Sequence, residues 1–332
     1  MNRKLLIIAG PTATGKTSLA LTLANKFNGE LISADSRQVY IGMDLGTGKD
    51  LPKNLKPQTS KLMWRGKPIR YYSVGGVRIW GYDLVKPDEV FNAAFFEEIA
   101  WMVIKNTWRQ GKLPVLVGGT GLYLKAVTEP LITLHIPPDK KLRRSVEQES
   151  VTELQHRLIN LDKEHFNRMN NSDKQNKRRL VRAIELARNN TKVNKTLAGG
   201  EKETLLAETS ILKIGLKAPK PLLDKRIGER VDVRIKQGAK NEVRQLIKQG
   251  YTFDLISMSG MGYRHWKPYF EGTTTREEVA RRWKFDEHDY ARRQLTWFKK
   301  DQAVRWYDIT ETNWQKRVVG LVREWYSKLI IR

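Results

Sequence analysis

The chain has 332 residues, enough to bury one substantial core with an insertion, or two domains. Its 61 Lys and Arg against 36 Asp and Glu leave a formal charge of +25, which calls for a polyanionic partner, nucleic acid first, although a generally basic proteome would also produce it. Having no cysteine excludes disulfides, thiol catalysis and Cys-ligated zinc or iron–sulfur sites, and with no apolar run long enough to span a bilayer a cytoplasmic protein free of membranes is expected.

Residues 4–9 (Lys-Leu-Leu-Ile-Ile-Ala) form an apolar run of the length of a buried parallel strand. Gly10, Pro11, Thr12, Ala13, Thr14, Gly15, Lys16 and Thr17 follow as a complete phosphate-binding loop. Leu19, Leu21, Leu23 and Ala24 then predict a helix starting at Lys16. In that context the backbone N–H groups of residues 13–17 converge with the helix N-terminus on phosphate oxygens, Lys16 adds a point charge, and the Thr17 hydroxyl is placed to ligate Mg2+. Glu30-Leu31-Ile32-Ser33 predicts a second strand, with Asp35 just past its carboxyl end, where open α/β sheets bind ligands. Asp35 serves there either as a helix N-cap or as a catalytic base, and its place beside the phosphate loop favours the base. Ser36, Arg37 and Gln38 adjoin it, and Arg37 and Gln38 suit a base edge or a phosphate; Tyr40 reads as packing.

Residues 46–68, rich in Gly, Pro and Lys, read as irregular connection, and residues 91–109 as a helix. Residues 113–117 predict a third buried strand that ends in Gly118-Gly119 rather than in the acidic residue usual for ATP hydrolysis, leaving Asp35 or Asp83 as stand-ins. Thr120 opens the next helix. Residues 131–204 read as an all-helical insertion carrying Arg178, Arg179 and Arg182, with a soft stretch at 189–200. Residues 211–216 return to strand character, and helices are expected over 221–249 and 276–300. Arg226 and Arg230 lie four apart on the first, a solvated basic face or a grip on a departing anion. Tyr290, Arg292, Arg293, Trp297 and Phe298 interleave cations with aromatics, as RNA contact requires, with the aromatics expected mostly to pack. The five histidines are scattered and suggest no metal site. The fold class is α/β: a P-loop parallel sheet flanked by helices (1–130 with 205–332) plus the helical insertion.

With these segments in order, the chain resembles the tRNA dimethylallyltransferases of bacterial type. The motifs are residues 10–17, 35–40, 118–123, 226–232, Gly262-Tyr263 and 290–298, and they span nearly the whole chain. The resemblance implies transfer of a dimethylallyl group from dimethylallyl diphosphate to the exocyclic amine of the adenosine 3′ of the anticodon, in tRNAs reading codons that begin with U. It implies Asp35 as base, Lys16, Arg230, the loop amides and Mg2+ on the diphosphate, and the insertion on the anticodon stem-loop. It also implies tRNA contacts at Ser36, Arg37, Gln38, Thr120 and the Arg179–Arg182 segment; Asp35 beside them, and Arg178, Arg292 and Arg293 from the basic clusters, are expected to join them, and a monomer is expected. Gln175-Asn176 and His288-Asp289 depart from the family pattern. The competing readings are a nucleoside or nucleotide kinase with residues 131–204 as its lid, an adenylate prenyltransferase, and a non-catalytic RNA-binding P-loop protein.

Overall fold

The computed structural model describes residues 3–52, 54–193 and 201–328. The chain runs β1 (Arg3–Ala9), α1 (Lys16–Lys26), β2 (Gly29–Ser33), β3 (Gln58–Trp64), β4 (Lys67–Val74), β5 (Val77–Trp80), α2 (Ala93–Arg109), β6 (Leu113–Val117) and α3 (Gly121–Thr128). Then come α4 (Lys140–Ser145), α5 (Val151–Arg168), α6 (Asn171–Lys174), α7 (Lys177–Val193) and α8 (Glu201–Ala207). It continues through β7 (Thr209–Lys217), α9 (Lys220–Lys236), α10 (Ala239–Lys248), α11 (Met261–Arg264), α12 (Trp266–Phe270), α13 (Arg276–Phe298), β8 (Val304–Asp308) and α14 (Trp314–Ser327). Residues up to 128 with those from 208 onward form one compact unit, and residues 129–207 form another.

The first unit is built on an eight-stranded sheet in the order β3-β4-β5-β2-β6-β1-β7-β8. From β5 to β8 every pairing is parallel, and β3 and β4 add antiparallel strands at one edge. Covered on both faces, β2 and β6 are buried at every position and β1 at all but its first, hence their nearly continuous apolar runs. Leu6, Ile8, Leu23, Leu31, Val115 and Ile214 meet Val318 and Val322 of α14 in one core. This order sets the carboxyl ends of β2, β6 and β1 side by side, so the loops that leave them share one rim of the sheet.

Three expectations need correction. Residues 58–64 are strand and residues 67–68 begin another, rather than irregular connection. Arg65 (φ 50°) and Gly66 (φ 76°) make the tight turn between them, and the solvated outer strand carries too much polar sequence to read as one. The helix expected over 221–249 is two, broken at Gly238, whose φ of 108° is left-handed. At 301–328, where no element was expected, lie β8 and α14.

In the second unit, α5 and α7 pack through Leu154, Leu158, Leu180 and Ile184, with Leu142 of α4. Ser150 and Glu153 form a reciprocal cap at the start of α5. Beneath the core, the buried Glu185 carboxylate accepts from Arg143 Nε (2.6 Å), Arg182 Nη1 (2.9 Å) and the Asp139 amide (3.1 Å). Residues 194–200, most of the soft stretch at 189–200, lie outside the described residues.

Candidate active site

The loop after β1 is held open by backbone geometry. At Gly10 (φ 138°) a Cβ would stand 2.4 Å from the Leu216 carbonyl oxygen, so only glycine lets the chain turn against β7. Thr14 is buried and donates to the Pro11 carbonyl (2.8 Å). Gly10 and Thr14 thus shape the loop, whereas Thr12, Ala13, Gly15, Lys16 and Thr17 line a cavity of about 900 Å3 onto which α1 directs its N-terminus. Lys16 Nζ donates to the Pro11 carbonyl (2.7 Å). Burial first, and then the neighbouring Arg230, pull its pKa down to about 7, against Asp35 and Glu287, which raise it. An anion seated on the loop would favour the charged form.

Opposite the loop, α9 presents Arg226, Arg230 and Arg234, four residues apart, and all three line the cavity. Arg226 Nη1 faces the Ala13 carbonyl (3.4 Å) and Arg230 Nη1 donates to Thr12 Oγ1 (3.0 Å), while Arg230 Nη2 pairs with Asp50. Arg234 is buried and reaches Glu287 Oε1 (3.3 Å).

Asp35 lines the same cavity from the end of β2. No helix begins there; its Oδ1 accepts the Arg37 amide (2.9 Å), a local turn in place of the helix cap. Burial pushes its carboxyl above the ordinary carboxylate range, although the Arg37 amide and Lys16 oppose the shift. Asp83 stands outside the cavity, buried against Lys49 and the Tyr72 hydroxyl, and is no stand-in for the missing acidic strand end.

The neighbours of Asp35 are largely committed to the protein. Gln38 accepts from Ser33 Oγ (2.7 Å) and donates to the Gly48 carbonyl (2.9 Å), pinning residues 46–50 to the rim. Arg37 donates to the Ile256 carbonyl (2.7 Å), and Thr120 Oγ1 accepts the Ser36 amide (3.0 Å). A Cβ at Gly118 would lie 2.2 Å from the Ala34 carbonyl oxygen, so backbone enforces glycine there; one at Gly119 would lie 2.0 Å from Gln294 Nε2 and would displace that side chain. Gly262 packs its backbone on Gly46, and Tyr263 donates to Glu242 (2.6 Å), which also accepts the amides of residues 44–46.

The phosphate-binding loop and the Asp35 carboxylate thus line one cavity. Residues 38–301 match the family described as IPP transferase, and residues 3–67 the one described as isopentenyl transferase. The chain belongs to the IPP transferase family. It is 35% identical over 325 residues to a protein of Roseiflexus sp. (strain RS-1) named tRNA dimethylallyltransferase, covering 97% of this chain and 98% of that one. A Roseiflexus castenholzii protein of the same name is 37% identical over 327 residues, covering 97% and 98%. A solved structure, the full-length tRNA isopentenylpyrophosphate transferase from Bacillus halodurans, superposes with a TM-score of 0.66 at 31% identity, covering 97% of this chain and 96% of that chain.

Other basic residues singled out in the sequence divide by what their donors do. Arg292 and Arg293 on α13 keep most of their side chains exposed; both pair with Asp289 (3.1 and 3.5 Å), and Arg293 also lies over the Tyr290 ring and lines the cavity. Trp297 is 43% exposed, against the expected packing, whereas Phe298 is buried. In the second unit Arg178 is exposed and Arg179 pairs with Asp173, but Arg182 spends its donors on Glu185 and the carbonyls of Thr133 (2.7 Å) and Ile136 (2.8 Å). Sequence reasoning missed four residues at the cavity: Arg234, Glu287, Asp50 and Gln294. Buried Gln294 accepts the Thr12 amide (2.8 Å) and donates to the Gly119 carbonyl (2.9 Å), tying α13 to both loops. The four-residue spacing from Arg226 and Arg230 was the available signal for Arg234. Among the described residues, no helix is long and apolar enough to cross a membrane.

Proposed function

We propose that this chain transfers a dimethylallyl group from dimethylallyl diphosphate to the exocyclic N6 amine of the adenosine 3′ of the anticodon, in tRNAs reading codons that begin with U. The observation that carries the reading is that Asp35 and the phosphate loop face one cavity while the neighbouring strand end, Gly118-Gly119, carries no carboxylate. The curated relatives share the name tRNA dimethylallyltransferase over nearly their full length, and the +25 charge suits an RNA substrate.

The amine is a weak nucleophile because its lone pair is delocalised into the ring, so it needs positioning and a proton acceptor. As the N–C bond forms, the carbon–oxygen bond to diphosphate breaks and takes its electron pair with it; Asp35 accepts the amine proton. Lys16, the amides of residues 13–17, Arg226 and Arg230 hold the negative charge gathering on the leaving group. Leu31, Ile79, Val117 and Tyr82 give the cavity an apolar wall for the prenyl chain. The loop's oxygen donors also fit Mg2+, which keeps most of its waters and asks few protein ligands: the exposed Thr17 hydroxyl lines the cavity, and no cluster of three His, Asp or Glu stands among the described residues. Thr17 would hold the Mg2+, which would supply positive charge beside the leaving group.

The target base leaves its stack to reach Asp35, and Arg292 and Arg293 meet the RNA backbone at the rim. The helical insertion, through exposed Arg178 and Arg179, takes the anticodon stem-loop. One chain suffices, working where its tRNA is, in the cytoplasm.

The test is purified protein with dimethylallyl diphosphate, Mg2+ and unmodified tRNA, run beside free AMP and ATP, and read by nucleoside mass spectrometry. Prenylated adenosine in tRNA alone is expected. Folded protein that yields no prenylated tRNA refutes the reading, and prenylated free nucleotide replaces it with an adenylate prenyltransferase.

A further inference from the structure

Asp50 sits where an anion from solution is expected. Arg230 divides its guanidinium between two partners: Nη1 donates to Thr12 of the phosphate loop (3.0 Å), and Nη2 pairs with the Asp50 carboxylate. Asp50 has little else to hold it. Its side chain is 55% exposed, its φ of 50° is left-handed, and its other contact is an Arg234 Nη2 at 3.7 Å, beyond hydrogen-bonding distance. Arg234 is buried against the Gly48 backbone, where a Cβ would lie 1.7 Å from its Nη2, and its Nε has no hydrogen-bond partner among the described residues. Glu287, at 3.3 Å, leaves that guanidinium with donors to spare.

We infer that Asp50 is an internal anion that competes with the prenyl diphosphate for Arg230 and passes to Arg234 when the diphosphate arrives. A carboxylate and a phosphate oxygen offer a guanidinium the same acceptor geometry, so one excludes the other from Nη2. Once Arg230 turns to the diphosphate, Asp50 needs only a short swing to close on Arg234, so its charge stays paired. The same exchange run backward helps expel pyrophosphate after the transfer. Asp50 thereby limits affinity for the leaving group, and its removal trades release for tighter binding. The inference rests on the loop at residues 10–17 being the diphosphate grip.

The experiment is calorimetric titration of the full chain with inorganic pyrophosphate and Mg2+, comparing wild type, Asp50→Asn, Asp50→Ala and Asp50→Glu. Because Asp50 is half-exposed and screened, Asp50→Asn and Asp50→Ala are expected to bind about fivefold more tightly, and Asp50→Glu about as wild type. In turnover, the two charge-removing variants show a lower KM for dimethylallyl diphosphate and stronger inhibition by pyrophosphate. Unchanged or weaker binding in both overturns the inference alone, the weaker result marking Asp50 as a metal ligand or a prop for the loop. A wild-type protein that binds no pyrophosphate overturns the diphosphate grip as well.

Discussion

Replacing Gln294 with Leu removes the polar tie between α13 and two loops, and it is expected to damage both stability and substrate capture. Gln294 is 4% exposed and spends its amide on the Thr12 N–H (2.8 Å) and the Gly119 carbonyl (2.9 Å). Leucine has a similar volume, so packing is nearly conserved and the loss is polar. Each backbone group left unpaired in a buried place costs about 1–3 kcal/mol. Thr12 is only half-buried and can recruit water, so the expected destabilisation is the lower part of the combined range, about 2–4 kcal/mol. Urea unfolding should show it as a lower midpoint at unchanged slope. Because the freed loop no longer holds its donors in register, KM for dimethylallyl diphosphate should rise about tenfold or more. Gln294→Glu keeps an acceptor for Thr12 but sets a carboxylate against the Gly119 carbonyl, so it should recover KM only in part. A Gln294→Leu protein with wild-type stability and wild-type KM refutes the assignment of Gln294 as the tie between the two loops.

Asp35→Asn should lower kcat by about 10²–10⁴-fold, the usual worth of a positioned base, with tRNA affinity nearly unchanged in filter binding. Since burial raises the Asp35 pKa and only the deprotonated form accepts a proton, kcat/KM should fall as pH drops through a point above the ordinary carboxylate range, and that limb should vanish in the Asn variant. Arg292→Ala and Arg293→Ala should each reduce the slope of log tRNA affinity against log salt by about 0.7, the single-strand value for one phosphate contact. Arg182→Ala should leave that slope alone and instead lower the melting temperature, because its donors hold Glu185 and two carbonyls inside the insertion.

What could be read from the sequence follows from how completely each element is buried. β2 and β6 have both faces covered, so apolar letters run together and the strands announce themselves, as do most of β1 and the amphipathic helices of the insertion. β3 alternates exposed and half-buried positions at the solvated edge, where Gln58, Lys61 and Lys67 mask the pattern. The candidate site divides in the same way. Thr12, Lys16, Asp35, Arg226 and Arg230 sit in short contiguous motifs whose local geometry is fixed by a strand end or a helix turn. Gln294 comes to the cavity from α13, 282 residues from the Thr12 amide that it accepts, and Glu287 comes from the same helix through Arg234 of α9; no local pattern marks a residue whose partner lies so far along the chain. Asp50 stood inside a segment read as mere connection.

The missing acidic residue after β6 has a steric cause. The parallel pairing of β2 with β6 brings the Ala34 carbonyl against Gly118, where a Cβ would lie 2.2 Å from that oxygen and 2.5 Å from its carbon. At the next residue the space belongs to Gln294, 2.0 Å from where a Gly119 Cβ would be. No carboxylate-bearing side chain fits at either position without moving backbone or breaking the tie to Thr12, so this strand end cannot carry the metal-orienting acid of a phosphoryl-transfer site. Asp83 is no substitute, buried as it is against Lys49 and Tyr72. The carboxylate that does face the loop stands one strand over, on Asp35, where burial raises its pKa and suits it to take a proton rather than to hold a cation. The amine nucleophile proposed above, which must lose a proton as it attacks, gives this carboxylate its task.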